Sequence, residues 1–463
     1  MNINKSKLLT GLSFMSSGLI ASVPALARDT YTNEEKPNIL IIYTDDMGIG
    51  DLSCYNTGWT KTPNLDQIAS EGLIINNYYS AAPVSSASRV GLTTGMFPLQ
   101  WGINTYLSDK KHNSNCEQFD YLSTSAPSMA RILKDAGYNT GHFGKWHMGG
   151  GRDVKNAPQI TEYGFDEYIS TWESPDPDPV ITGSNWIWSD KDEVKRWSRT
   201  AYFVDKTLDF LSRHKGEPCF VNLWPDDMHT PWVQDEEAVG KRKTWESQPN
   251  FHEVLIEYDI QMGRLMEGLK KLGIDKNTIV IFTSDNGPAP SFKQIRANGL
   301  RGTKNSLYEG GIRMPFMVRW PDKVKAGEID KTSLIFAADL LPSLCKIAGA
   351  NLPKGHSWAG EDMSKVLIGK PQKRKKDMMW DFGRNKYFAQ LKGANRSPHL
   401  ALRRGNWKLL MNSDGTQIEL YNMAKDENEA MNVAESNPKV VKELSKALLE
   451  WWAKRLTPEK NQL

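Results

Sequence analysis

The residues of this chain that could do chemistry sit at the ends of runs that read as strands. Asp45 and Asp46 close "PNILIIYTDD", and Asp285 and Asn286 close "NTIVIFTSDNG". Lys145 and His147 follow "TGHFG", and His229 follows "FVNLWPDDM". Three carboxylates and one carboxamide are hard oxygen ligands, which favour Ca²⁺ or Mg²⁺ over zinc or copper. The lysine and the two histidines add positive charge and the means to move a proton. In "PVSSASRVGLTTG" (83–95), a helix beginning near Ser88 places Ser85 just ahead of its N-terminus. Free amides and the helix dipole favour an anion there, and Arg89 reaches back over the same face. An unmodified serine needs a general base, and no G-x-S-x-G motif surrounds this one. The chemistry is that of an anion-handling hydrolase with a divalent metal, and the nucleophile is left open.

Each stretch taken alone is an ordinary turn or cap. Their convergence matters because open parallel sheets bind ligands beyond the carboxyl ends of their strands. The positioning elements are legible. "TPNLDQIASEGL" reads as a helix opened by Pro63 and stopped by Gly72. A helix over about Pro127 to Ala136 precedes the "YNTGHFG" strand, and "RTAYFVDKTLDFLSRH" precedes "PCFVNLW". "FHEVLIEYDIQMGRLMEGLKKLG" leads into "NTIVIFTSDNG", which reads as the last strand of the main domain. Alternating strands and amphipathic helices predict an α/β fold: a large, mostly parallel sheet sandwiched by helices. The texture changes near residue 370, where "KRKK" (373–376) reads as a solvated linker. "YFAQLK", "HLALRRGNWKLL" and "QIELYNM" read as short strands, and a helix from Pro438 to about Leu456 closes the chain. The expected domains are a signal peptide (1–27), a catalytic α/β domain (28–370) and an α+β subdomain (371–463) on a short antiparallel sheet.

Lys5 and Lys7, the apolar run Leu8–Val23 and Ala25-Leu26-Ala27 form a secretory signal, with cleavage after Ala27. Export to the periplasm or outside the cell is expected, with no membrane span after cleavage. A net charge of +3 gives no support for nucleic-acid binding. Cys54, Cys116, Cys219 and Cys345 form no CxxC, and export permits one disulfide, such as Cys54–Cys116.

The motifs together resemble the type I, formylglycine-dependent sulfatases of the alkaline-phosphatase-like superfamily. "SSASR" (85–89) is similar to that family's Cys/Ser-x-Pro/Ala-x-Arg signature. "NILIIYTDDMGIGDLSCY", "TPNLDQIASEGL", "GYNTGHFGKWHMG", "TSDNG", "RGTKNSLYEGGIRMPFMVRWP", "DLLPSLCKIAG" and "LRRGNWKLL…ELYNM" follow in the family's order. The resemblance implies an alkaline-phosphatase-like fold and sulfuric ester hydrolysis. It implies that Ser85 is oxidised to formylglycine, whose hydrate attacks sulfur and later expels sulfate when its second hydroxyl is deprotonated. By the same resemblance, Asp45, Asp46, Asp285 and Asn286 hold Ca²⁺, with Mg²⁺ second. Arg89 and Lys145 would stabilise the formylglycine oxygens, and His147 would take the proton. His229 and Lys304 would bind sulfate and protonate the leaving group.

Serine at 85, where cysteine is commoner, implies a maturation enzyme that accepts serine. Ala87 replaces the usual proline, and Met96 stands where the family carries arginine. Asp226 and Asp227, ahead of His229, have no assigned role. Sulfated glycans, of glycosaminoglycan or mucin type and bearing sulfated N-acetylhexosamine or galactose, are the expected substrates. The segments 171–197 and 102–116 are the candidate substrate loops. Two alternatives stay open: a phosphonate monoester or phosphodiester hydrolase with the same motifs, and an inert sulfated-glycan-binding protein whose Ser85 stays serine.

Overall fold

The strand that leads into Asp45 and Asp46 is apolar from Ile39 to Tyr43 because it is buried on both faces. In this computed structural model, which describes residues 36–56, 58–182 and 191–458, it is β1 (Asn38–Thr44). Its alternate residues feed two separate cores: Ile39, Ile41 and Tyr43 enter one, and Leu40 and Ile42 enter the other. The signal segment and the Trp186–Trp188 part of the 171–197 loop lie outside the described residues. No helix among the described residues is long and apolar enough to cross a membrane.

The main sheet has eight strands: β1, β2 (Leu73–Ile75), β3 (Asn139–Gly144), β4 (Glu167–Ser170), β5 (Cys219–Trp224), β6 (Thr278–Ser284), β7 (Phe316–Arg319) and β8 (Glu328–Asp330). Their spatial order is β8-β2-β7-β6-β1-β5-β3-β4. β1 is paired in parallel with β5 and β6, so Thr44 lies beside Ser284 and the acidic residues beyond each strand emerge together. β7 runs antiparallel to both β6 and β2. The sheet is therefore mixed but mostly parallel, as expected. β6 is not its last strand, however. β7 and β8 follow it in the chain, and such short strands carry too little periodicity to stand out in the sequence.

Helices cover both faces. α1 (Pro63–Ser70), α3 (Arg199–Arg213) and α4 (Gln248–Leu272) pack on the Leu40 side. Along α4, Phe251, Val254, Leu255, Tyr258, Met262 and Leu265 form the helical stripe that meets the sheet. α2 (Ser85–Thr94) and α5 (Leu340–Ala348) cover the opposite face.

The C-terminal sheet, β9 (Met378–Asp381), β10 (Leu400–Arg404), β11 (Trp407–Met411) and β12 (Glu419–Asn422), is antiparallel in chain order. Leu400, Leu402, Leu409 and Leu420 pack with Leu444 and Leu448 of α6 (Pro438–Trp452), whereas Ala401, Leu410 and Tyr421 join the main core. Two expectations fail here. "YFAQLK" is not a strand; Met378–Asp381 takes that place, and Phe388 packs edge-on against Phe382. Nor is "KRKK" solvated throughout. Arg374 is buried, 2.9 Å from Asp339 and 3.4 Å from Glu361, and Lys376 Nζ donates to the carbonyls of Trp358 and Gly360. All four cysteines carry free thiols.

A buried ionic cluster ties this sheet to the rest. Lys408 Nζ lies 2.9 Å from Glu309 Oε1 and 2.8 Å from Glu429 Oε1. Burial, aided by the nearby Glu309 charge, pushes the Glu429 carboxyl up to about 7. A carboxyl raised on folding stabilises fully below its unfolded pKa, and that contribution is lost as pH rises through the folded value. The stability of wild type relative to Glu429→Gln is therefore expected to fall between about pH 5 and about pH 8. Urea unfolding of both proteins across that range checks it; a flat difference would refute it.

Candidate active site

The carboxyl edge of the sheet gathers the residues singled out in the sequence. Asp45 and Asp46 leave β1, Asp285 and Asn286 leave β6, and Lys145 follows β3 directly. Carboxylate oxygens of Asp45, Asp46 and Asp285 all lie within 4.8 Å of one another, and all three residues are buried. Asn286 Nδ2 donates to Asp46 Oδ1 at 2.7 Å, which leaves its Oδ1 on the side of Ser85.

α2 starts at Ser85 itself, three residues earlier than the sequence suggested. The extended Val84 (φ −157°, ψ 146°) precedes it, and no side chain among the described residues caps the helix. The Ser85, Ser86 and Ala87 amides at the first turn therefore have no intrahelical acceptor, and they meet the dipole's positive end. Ser85 Oγ donates to Asp45 Oδ1 at 3.0 Å and to Asn286 Oδ1 at 3.4 Å. One turn on, Arg89 is wholly buried between the rings of Tyr43 and Trp224. It lies 2.9 Å from Asp285 Oδ2 and 3.4 Å from Asp45 Oδ1, and it donates to the Lys145 carbonyl. Lys145 Nζ takes the other Asp45 oxygen at 2.8 Å.

Ser86 and Ser88 do more than space the helix. Ser88 Oγ bonds the Tyr43 hydroxyl at 2.8 Å, which steadies one wall around Arg89. Ser86 Oγ accepts from the Leu107 amide, and the Leu107 carbonyl accepts from His147 Nε2 at 3.0 Å. That bond assigns the proton of the neutral ring to Nε2. Nδ1 is left with a buried lone pair and no partner among the described residues. Burial, then the charge of Lys145, holds His147 well below the usual histidine value. Its backbone is left-handed (φ 53°), so His147 and Lys145 do not continue one strand face.

His229 and Lys304 approach from the other side. His229 Nδ1 donates to the Thr230 carbonyl at 2.6 Å, and its Nε2 faces Lys304 Nζ at 3.1 Å. Burial and Lys304 lower His229 to about 4. Lys304 Nζ lies 2.8 Å from Asp46 Oδ2, and its pKa is raised: burial opposes the shift, and the charge of Asp46 outweighs it. The loop of Lys304 is docked by backbone: Lys304 N to Pro288 O, Asn305 N to Pro83 O, and Gly287 N to Gly311 O. Gly287 is required because a Cβ there would sit 2.1 Å from the Gly310 oxygen.

Several supporting residues escaped sequence reading. Arg296, buried and paired with Asp51 at 2.8 Å, donates to the Asp46 carbonyl and so supports the left-handed Asp46 (φ 59°). Asp226 pairs with Arg196 (2.5 Å) and Arg199 (3.0 Å), and Arg196 also donates to the His229 carbonyl. Asp227 accepts from the Thr200 amide and hydroxyl. The two aspartates thus anchor the His229 turn to the start of α3. Met96 is buried, just past the left-handed Gly95 that ends α2. No spacing rule marks these long-range pairs.

Comparison with known proteins agrees with this architecture. The sulfatase family profile matches residues 37–350, and the profile described as N-sulphoglucosamine sulphohydrolase, C-terminal, matches residues 302–454. An N-acetylgalactosamine-6-O-sulfatase of Bacteroides thetaiotaomicron is 29% identical, over 91% of this chain and 94% of that protein. The human N-acetylgalactosamine-6-sulfatase is 31% identical over 72% of this chain and 66% of its own length. A solved sulfatase structure from work on the metabolism of multiple glycosaminoglycans by Bacteroides thetaiotaomicron superposes with a TM-score of 0.74 at 28% identity. It covers 90% of this chain and 99% of that one. In its profile match, its relatives and its fold, the chain belongs to the sulfatase family, enzymes that hydrolyse sulfate esters.

Proposed function

We propose that this protein is an exported carbohydrate sulfatase acting on glycosaminoglycan or mucin-type sugars, foremost a 6-sulfated N-acetylhexosamine. The observation that carries the reading is the balance of charge around Ser85 Oγ. Three buried carboxylates face three cations, Arg89, Lys145 and Lys304, at the uncapped start of a helix. The named relatives that act on N-acetylgalactosamine 6-sulfate support the sugar.

The donor set fits a divalent cation. It is oxygen-only, buried and crowded enough that burial and the charge of Asp45 push Asp285 up to about 7. Asp45, Asp46, Asp285 and Asn286 would hold Ca²⁺, which supplies Lewis acidity and neutralises sulfate charge. The small, buried Ser85 fits conversion to formylglycine by a serine-accepting maturation enzyme; the hydrated aldehyde supplies the nucleophile.

The remaining roles fall to this chain's own side chains. Arg89 and Lys145, fixed by Asp45 and Asp285, hold negative charge at residue 85. His147 accepts a proton at Nδ1, because Nε2 is committed to Leu107. Lys304 donates the proton that the departing sugar oxygen needs, and His229 Nε2 steers its ammonium group. The helix-start amides bind sulfate oxygens.

Parallel assays of the mature enzyme on 6-sulfated N-acetylhexosamines, aryl sulfate and aryl phosphodiesters test this. Turnover of the sulfated sugar is expected, with loss of activity on chelation and recovery with Ca²⁺. Turnover of phosphodiesters alone would overturn it.

A further inference from the structure

The mechanism above makes no use of Glu173, a carboxylate that is 7% exposed. It lies close enough to Lys145 and Asp45 for their charges to act on it. Its carboxylate makes no hydrogen bond among the described residues; the nearest cation is Arg152, at 3.8 Å. A carboxylate set this deep with no donor among the described residues is available to accept one from a ligand in the site. Its position is tightly set. The His147 amide donates to the Glu173 carbonyl at 2.9 Å. The glycine loop 149–151 wraps the same turn so closely that a Cβ on Gly150 would meet Pro175 N at 2.3 Å, and one on Gly151 would meet Trp172 O at 2.7 Å. Gly150 and Gly151 have φ of 91° and 75°, and the non-glycine Arg152 continues the left-handed run at 51°. Strain of this kind persists where the surroundings impose it. It carries Arg152, 34% exposed at its side chain, up to the buried carboxylate.

A sulfate would be repelled by Glu173, so the group cannot be a further sulfate contact. It is an acceptor for neutral donors. We infer that Glu173, held beside the reacting centre by His147 and the 149–152 loop, is a specificity residue that accepts a hydrogen bond from a sugar hydroxyl or amide N–H next to the sulfated position. Arg152, whose guanidinium stands 3.8 Å from that carboxylate, acts as a positioning residue. The inference rests on the carbohydrate reading above. It makes sugars carrying the donor better substrates than sulfate esters without one, because a site built to pair a donor rejects the analogue that lacks it.

The test compares Glu173→Gln and Glu173→Ala with wild type on a 6-sulfated N-acetylhexosamine, its deoxy analogues and an aryl sulfate. In wild type, removal of one particular donor is expected to lower kcat/KM about 10-fold or more. In Glu173→Ala that donor no longer matters, and the loss on the intact sugar exceeds the loss on aryl sulfate about 10-fold. A second readout is calorimetric binding in a Ser85→Ala background, with weaker binding of the sulfated sugar expected and inorganic sulfate as the control. Equal losses on sugar and aryl sulfate, with the deoxy series unchanged in rank, would overturn the inference and leave the sulfatase reading intact. A wild type that cleaves aryl sulfate but no sulfated sugar would overturn the carbohydrate reading, and this inference with it.

Discussion

Ser85→Cys, produced in a host that matures only cysteine, is expected to cleave aryl sulfate about 10⁴-fold or more faster than wild type from the same host. The one hydroxyl hydrogen of Ser85 in the unmodified chain is shared between Asp45 Oδ1 and Asn286 Oδ1, and no histidine nitrogen among the described residues is hydrogen-bonded to its Oγ. His147 Nε2 is committed to the Leu107 carbonyl, and His229 Nδ1 to the Thr230 carbonyl. An alcohol so placed is a weak nucleophile. The cysteine side chain is the substrate such a host converts, and it fits the same buried position at the helix start. Peptide mass spectrometry across residues 83–95 gives the independent check: a converted serine is lighter by two hydrogens. Rapid turnover by wild type with wholly unmodified Ser85 would refute the proposal.

Asp45→Asn is the second large effect, and it separates the two jobs of that carboxylate. Asp45 takes Lys145 at 2.8 Å, Arg89 at 3.4 Å and Ser85 Oγ at 3.0 Å. Both cations are buried, and breaking a buried pair by removing one partner costs about 3–5 kcal/mol. The lower end, about 3 kcal/mol, is expected because the substitution also relieves the repulsion of Asp46 and Asp285. Urea unfolding of chelator-treated protein measures it. Added Ca²⁺ then reports the second job. Wild type should gain about 2.7 kcal/mol at one hundred times its dissociation constant. The variant should gain almost nothing at the same concentration. Equal stabilisation of both proteins by Ca²⁺ would remove Asp45 from the ligand set.

The site was partly legible because strand ends in a parallel sheet carry their chemistry in contiguous motifs. Asp45 and Asp46, and Asp285 and Asn286, each adjoin an apolar run whose burial on both faces is written in its composition, whereas Lys145 follows the mixed strand Asn139–Gly144. Where an element is short, that signal fails: β7, β8 and β9 have four residues or fewer, and the strand expected at 387–392 was misplaced. Charge was also misleading. "KRKK" reads as solvated, yet Arg374 finds Asp339 and Glu361 in the folded chain, partners 35 and 13 residues away.

By itself, the sequence determined the residue types, their order and the alternating pattern that makes an α/β sheet, because these depend on local periodicity and on contiguous motifs. The tertiary structure alone decided that α2 begins at Ser85, that His147 turns left-handed and bonds Leu107, and that Asp226 and Asp227 anchor the His229 turn. It also decided that the Glu173 carboxylate has no hydrogen-bond partner among the described residues. Each of these depends on a partner far away in the chain, and only the packed sheet and its loops bring such partners within hydrogen-bonding distance.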